Sequence, residues 1–390
     1  MGKRVGMEVS IAVAEAACQA DVDVVAAYPI TPQTHIVEHL SELVADGHLD
    51  AEFVPVESEH SALSVCIGSS AAGARTFTST SSQGLALMNE VVYIASSLRL
   101  PIVMVVSNRS LSAPLSIWND HSDVMSVRDT GWIQVFAENG QEAYDHVFWA
   151  FRVGEDRRVL MPVMIHMDGF ILSHMVEPLE MVDKDLVKKY IPPFEPIHRL
   201  HPDKAVTMGA FALPELYTEA KKAQDEALKA SWPVILEGWK QWGELTGRNY
   251  KPVETYRTED AQAVLITMGS MGETACEAVD RMRAQGKAVG AVKIRLWRPF
   301  PFSQVREAVG KAKLAVVFDR CVSYGGPGGP VASEIRAAFY GEMVRPRVAN
   351  FIGGLAGRDV SPQDFQNMLE KALSTEEDRQ EAYQIYGVRE

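Results

Sequence analysis

The chain has 390 residues, 47% of them hydrophobic, which suffices to bury a large core and favours two domains over one. Its 38 Lys and Arg against 51 Asp and Glu leave a net charge of −13, which argues against nucleic acid and anionic membrane as partners and obliges any small anion to find a local positive site. No apolar run approaches the roughly eighteen residues of a membrane helix, and the start MGKRVGMEVS lacks the apolar core of a signal peptide, so the cytoplasm is the expected compartment. Strand-like runs at residues 22–27, 53–56, 76–80, 102–107, 133–137 and 163–166 alternate with helical patterns at 8–19, 60–71 and 85–97 rich in Ala, Leu and Met, as in a parallel sheet wrapped by helices. Beyond about residue 177 the sequence turns charged and Pro-interrupted, with amphipathic helices near 214–228 and 234–245. From residue 261 a second α/β unit carries strands in AQAVLITMGS, AVGAVKIRL, LAVVFD and RVANFIGGL. The expected fold class is α/β with two parallel-sheet domains, over residues 1–176 and 259–373, joined by a helical linker at 177–258. The charged tail at 374–390 is expected to wrap a neighbour or fray.

Cys18, Cys66, Cys276 and Cys321 are scattered, with no CxxC pair and no His at ligand spacing. All four are therefore expected to be reduced, and no metal or iron–sulfur site is expected within this chain.

Chemistry concentrates where strands end. YPITP at 28–32 follows an apolar strand, and Pro29 and Pro32 fix two φ angles and leave Thr31 little freedom. The alternative is a strand-to-helix connection with Thr31 or Thr34 as N-cap. The segment ESEH at 57–60 opens a helix after the next strand, so Glu57 and Glu59 sit at a strand's carboxyl end, where doubly wound sheets build sites. Acids in a first helical turn also complement the helix dipole without further purpose. Small apolar flanks nevertheless bury rather than solvate a carboxyl, which is the setting an acid that handles protons needs.

TSTSSQG at 78–84 offers hydroxyls and N–H groups to a polar ligand, or equally caps a helix that Gly84 lets begin tightly. SNRSLSAP at 107–114 delivers Arg109 into a loop, where a guanidinium grips a carboxylate through two parallel hydrogen bonds, unless it pairs with Asp120 or Asp123. Residues 115–123 mix aromatic and titratable groups as active-site lids do, and the stretch 112–119 is expected to move. The Gly-rich runs MGSMGE at 268–273 and YGGPGGP at 324–330 miss the GxGxxG spacing and read as structural or subunit-contact turns.

Taken in order, YPITP, ESEH, TSTSSQGL, SNRSLSAP and IWNDHSDVMSVRDTGW resemble the α subunit of the 2-oxoacid:ferredoxin oxidoreductases, over essentially the whole chain. The resemblance implies a thiamine-diphosphate pyrimidine-type domain followed by a transketolase C-terminal-like domain. It also implies that Glu59 serves the cofactor's aminopyrimidine ring and favours its imino tautomer. Thr31 and Arg109 match positions that hold the substrate carboxylate, Tyr28, Pro29 and Gly84 positions beside the cofactor, and Asn119 and Asp120 a loop near the substrate.

The chain lacks a GDG motif with a following Asn and lacks a CxxCxxC cluster motif. The resemblance therefore puts the Mg2+ and diphosphate site and the 4Fe–4S clusters on partner subunits, with ferredoxin as electron acceptor. As a whole the sequence resembles most the oxalate-oxidising members, which split oxalate into two CO2 without coenzyme A. Pyruvate oxidation to acetyl-CoA and CO2 is the alternative. Oxalate's second carboxylate requires a further polar clamp, for which Asn108, Asn119, Asp120 and His121 are the candidates. A transketolase-like enzyme and a non-catalytic scaffold are the rival classes.

Overall fold

The computed structural model describes residues 3–375 and 381–389. Its first strands are β1 (Lys3–Glu8), β2 (Val24–Ala27), β3 (Glu52–Pro55), β4 (Thr76–Thr80), β5 (Val103–Asn108), β6 (Ile133–Phe136), β7 (Val163–Asp168) and β8 (Val176–Met181). The later ones are β9 (Val253–Tyr256), β10 (Ala263–Met268), β11 (Val289–Ile294), β12 (Leu296–Arg298), β13 (Leu314–Asp319), β14 (Arg347–Ile352) and β15 (Gln384–Ile385).

A seven-stranded sheet runs in the order β12-β6-β7-β5-β4-β2-β3, and a six-stranded sheet in the order β15-β14-β13-β10-β11-β9. Within the first, β2 through β7 pair in parallel. Strands β4, β5 and β7 are buried at every position because helices cover both faces, which is why they read as apolar runs rather than alternations.

One face packs Val9–Gln19 and Gly140–Gly154 into a core that takes in the helix Trp232–Thr246, where Trp149 stacks on Trp239 with ring centroids 4.7 Å apart. On the other face, Glu59–Ala72 and Asn89–Ser97 share a continuous core with strands β10, β11 and β13. The two sheets are thus packed through one apolar layer rather than strung on a linker.

Several elements differ from expectation. Strands β1 and β8 pair antiparallel in a separate two-stranded ribbon, and neither was anticipated because charges interrupt both. Strand β9, inside the stretch read as helical linker, edges the second sheet antiparallel to β11. Strand β12 crosses over to pair antiparallel with β6 of the first sheet, a tie three residues long. The helix expected at 85–97 is two, Ser82–Leu87 and Asn89–Ser97, meeting at Met88. In the charged tail, residues 384–385 add β15 beside β14, with the Tyr386 hydroxyl donating to Asp364 at 3.0 Å. Residues 376–380 and 390 of that tail lie outside the described residues.

Candidate functional site

Because β5, β4, β2 and β3 are parallel neighbours, their carboxyl ends bring four loops to one edge of the first sheet. The loop after β3 leads into Glu59–Ala72, whose N-cap Ser58 accepts the Ser61 N–H. That cap decides between the two acids. Glu57 points to solvent, where the Ser61 hydroxyl holds its pKa down, while Glu59 is buried at 7% exposure. Glu59 lies against Gly84 of the loop after β4. A Cβ on residue 84 would stand 2.5 Å from Thr80 Oγ1 and 2.7 Å from Glu59 Oε1, so only glycine admits the carboxylate there. The buried hydroxyls of Thr78 and Thr80 find no hydrogen-bond partner among the described residues.

After β2, YPITP is pinned from beneath by Gln33, whose Nε2 donates to the Ser79 carbonyl and hydroxyl at 2.8 Å and whose Oε1 accepts the Ile30 N–H. Thr31, Tyr28 and Pro29 remain exposed on top, Tyr28 at 37%. Arg109, leaving β5, is 7% exposed and directs Nη1 to the Thr31 carbonyl at 3.0 Å and Nε to the Ser116 carbonyl at 2.8 Å. Its guanidinium pairs with neither Asp120 nor Asp123. Burial lowers its pKa, opposed by the charge of Asp123.

Asp123, considered beforehand only as a possible partner for that guanidinium, binds backbone instead. Its Oδ2 accepts the N–H of Ser82 and of Arg109, each at 3.0 Å, and its Oδ1 accepts the Val124 N–H at 2.8 Å. The loops after β4 and β5 are therefore fixed by one carboxylate. Burial pushes Asp123 up to about 7, although these N–H groups pull the other way. Glu59 and Arg109 stand on either side of this junction, one against Gly84 and the other sharing Asp123 with Ser82.

Asn119, Asp120 and His121 turn toward the second sheet. Asp120 accepts the Ser122 N–H and hydroxyl and the Ala356 N–H, and the Asn119 carbonyl accepts the Gly357 N–H. The Asn119 side-chain amide is buried without a partner among the described residues. His121 Nε2 lies 3.1 Å from Asp168 Oδ1, which also receives Arg320 Nη1 at 2.7 Å, while the Ser270 N–H and hydroxyl bind Asp168 Oδ2. Burial alone raises the Asp168 pKa, yet Arg320, His121 and Ser270 outweigh it and hold the carboxyl far below the usual range. Ser270 belongs to the first Gly-rich run, which therefore meets the first sheet. In the second run, Gly329 gives way to Asp319, whose carboxylate caps the helix Pro330–Phe339 at Val331 and Ala332.

A buried acid beside a glycine, a guanidinium one loop away and a second sheet closing over the edge make this a two-sheet α/β chain whose polar groups gather at strand ends, where such folds place their ligand sites. Residues 15–236 match the family model "Pyruvate flavodoxin/ferredoxin oxidoreductase, thiamine diP-bdg", and residues 261–365 match "Pyruvate:ferredoxin oxidoreductase core domain II". Pyruvate synthase subunit PorA of Methanothermobacter thermautotrophicus is 47% identical over 94% of this chain and 94% of its own length. Ketoisovalerate oxidoreductase subunit VorA of Pyrococcus horikoshii is 46% identical over 92% of this chain and 91% of its own.

Among solved structures, 2-oxoglutarate:ferredoxin oxidoreductase from Magnetococcus marinus, with 2-oxoglutarate, coenzyme A and succinyl-CoA bound, superposes with a TM-score of 0.70 at 21% identity. The match covers 96% of this chain and 66% of that one, and shares the fold. The chain belongs to the 2-oxoacid:ferredoxin oxidoreductase family as an α subunit, an enzyme component that works with thiamine diphosphate. Among the described residues no helix is long and apolar enough to cross a membrane.

Proposed function

We propose that this chain is the α subunit of a pyruvate:ferredoxin oxidoreductase, which converts pyruvate and coenzyme A to acetyl-CoA and CO2 and passes electrons to ferredoxin. The observation that carries the substrate choice is that Arg109 stands as one guanidinium beside Thr31, while the Asp120 carboxylate is engaged by Ser122 and Ala356 and His121 Nε2 by Asp168. One clamp suits one carboxylate. The oxalate expectation draws its second clamp from Asn108, Asn119, Asp120 or His121, of which Asn108 Nδ2 is held by Asp123 at 3.3 Å and the Asn119 amide is buried, and the relatives described above carry names for oxoacids with an aliphatic end or, for the solved structure, 2-oxoglutarate.

Thiamine diphosphate fits this edge on its donor set: Glu59 is the buried acid for an aminopyrimidine nitrogen, the unpartnered Thr80 hydroxyl adjoins it, and Gly84 leaves the space a Cβ would fill. Bound there, the cofactor supplies a nucleophilic carbon for the substrate's carbonyl and a sink for the electrons released on loss of CO2. Glu59 holds a proton at the ring nitrogen. Exposed Tyr28 and Pro29 would border the cofactor, and Arg109 beside Thr31 would hold the substrate's carboxylate. Mg2+ with the diphosphate site, and the 4Fe–4S clusters, belong to partner subunits. The four unpaired cysteines suit a cytoplasmic assembly.

The test is reduction of a viologen dye by the assembled complex with pyruvate, 3-methyl-2-oxobutanoate or oxalate, each with and without coenzyme A. Pyruvate with coenzyme A is expected to be fastest. A VorA relative as similar as 46% makes the branched oxoacid the second reading, supported if that substrate wins. Fast oxalate turnover without coenzyme A would overturn both.

A further inference from the structure

Away from the loop cluster, three ligand-bearing side chains from distant segments converge. Glu8 ends β1, His35 lies in the first turn of the helix Thr34–Ala45, and His174 lies in the turn after β7. His35 Nδ1 and Glu8 Oε1 are 2.6 Å apart, and the His35 and His174 ring centroids are 4.6 Å apart. One ligand atom from each of the three falls within 4.8 Å of the other two, and all three side chains are half-buried. We propose that Glu8, His35 and His174 bind one divalent transition-metal ion of the zinc class, at a site separate from the edge where Glu59 and Arg109 stand.

The donor set selects the ion. Two imidazoles and one carboxylate suit Zn2+, Co2+ or Ni2+ and leave a fourth position to water, whereas hard ions such as Mg2+ and Ca2+ prefer oxygen throughout. Metal–ligand bonds of about 2.0–2.2 Å place donor atoms around one ion roughly 3–4 Å apart, so the longest separation in the cluster closes by about 1 Å while the 2.6 Å His35–Glu8 pair opens by a similar amount. The proton now shared by His35 and Glu8 is what the ion replaces, and it leaves to solvent.

His174 is prepared for the task. Its Nδ1 lies 2.7 Å from Ser173 Oγ, a hydroxyl that also accepts the Phe170 N–H at 2.9 Å. With Nδ1–H donating to that oxygen, Nε2 presents its lone pair, the arrangement by which neighbouring acceptors orient metal-binding imidazoles. The His174 ring also meets Phe170 at 4.7 Å, which in turn meets Trp118 at 4.9 Å, so the site is connected to the loop that Arg109 holds.

Co2+ titration of the full-length chain, followed by visible d–d absorption, tests the site. The wild type is expected to bind one equivalent with the intense bands of a low-coordinate ion, to release it to Zn2+, and to melt at higher temperature with Zn2+ present. Both His35→Gln and His174→Gln lose the bands, and Glu8→Gln, which keeps a hydrogen-bonding partner for His35, weakens binding about tenfold or more for a lost charged ligand. If the wild type takes up no more Co2+ than the two histidine variants, or if the bands survive in both, the cluster is an ordinary Glu–His ion pair and the proposal fails.

Discussion

A methyl group at residue 84 would meet Thr80 Oγ1 at 2.5 Å and Glu59 Oε1 at 2.7 Å, so Gly84→Ala must displace the acid or the loop that carries it. The expected result is a large loss of kcat in the assembled complex together with a lower melting temperature of the chain, since the displaced Thr80 and Glu59 side chains are both buried. Glu59→Gln separates proton handling from space. The amide fits the same volume but holds no titratable proton, so turnover should fall about 100-fold or more while thiamine diphosphate still binds, as read by steady-state rates alongside cofactor titration. Normal turnover would remove the role given to Glu59. Arg109→Leu should raise KM for the oxoacid about tenfold or more, because a hydrogen bond to a charged group contributes roughly 1.5–3 kcal/mol. An unchanged KM would refute the clamp.

Between elements, the loops after β4 and β5 depend on Asp123, which fixes the N–H groups of Ser82 and Arg109 on one oxygen. Asp123→Ala strands both donors in a buried setting, and leaving such groups unsatisfied costs about 1–3 kcal/mol each. We expect lower stability in urea together with a raised KM and a reduced kcat, because the loops facing Glu59 and Arg109 loosen together. A loss of stability with unchanged kinetics would make Asp123 purely structural.

Such a hub is invisible beforehand, since one Asp in IWNDHSD looks like the next until the fold brings β4 and β5 side by side. The long elements were legible for the opposite reason. Buried parallel strands such as VMVVSN and LAVVFD betray themselves through local composition, and TSTSSQG and SNRS were locatable as their ends. Strands β12 and β15, three and two residues long, owe their existence to a partner far away in sequence and carry no pattern of their own. The local pattern alone does not separate Glu59 from Glu57, and only the resemblance singles out Glu59, because it takes the N-cap at Ser58 to turn one inward and leave the other in water.

For the molecule as a whole, the closing of the second sheet over the loop cluster rests on Asp168, which leaves β7 and gathers His121, Arg320 and Ser270. All but Ser270 are at most 2% exposed, so this is a buried ionic junction. Removing one partner of such a junction is far costlier than its net worth, because the survivors keep their charge without compensation. Asp168→Asn is therefore expected to destabilise the chain by about 3–5 kcal/mol in denaturant unfolding.

The pH dependence gives a second check with a definite sign. The folded carboxyl lies below the ordinary aspartate value of 3.8, so its contribution is present above that pH and fades as acid protonates it. The gap in stability between wild type and Asp168→Asn should thus stay wide near neutrality and narrow on acidification below 3.8. A gap that instead widens in acid would mean that the folded Asp168 carboxyl lies above its ordinary value and that the ionic junction does not hold it charged. The same variant bears on activity, because Asn119 and Asp120 bridge the loop beside Arg109 to Gly357 and Ala356 of the second sheet. Loosening that bridge should raise KM for the oxoacid while leaving thiamine diphosphate affinity, assigned by the proposal to Glu59 and Gly84 on the far side of the Asp123 junction, close to that of the wild type.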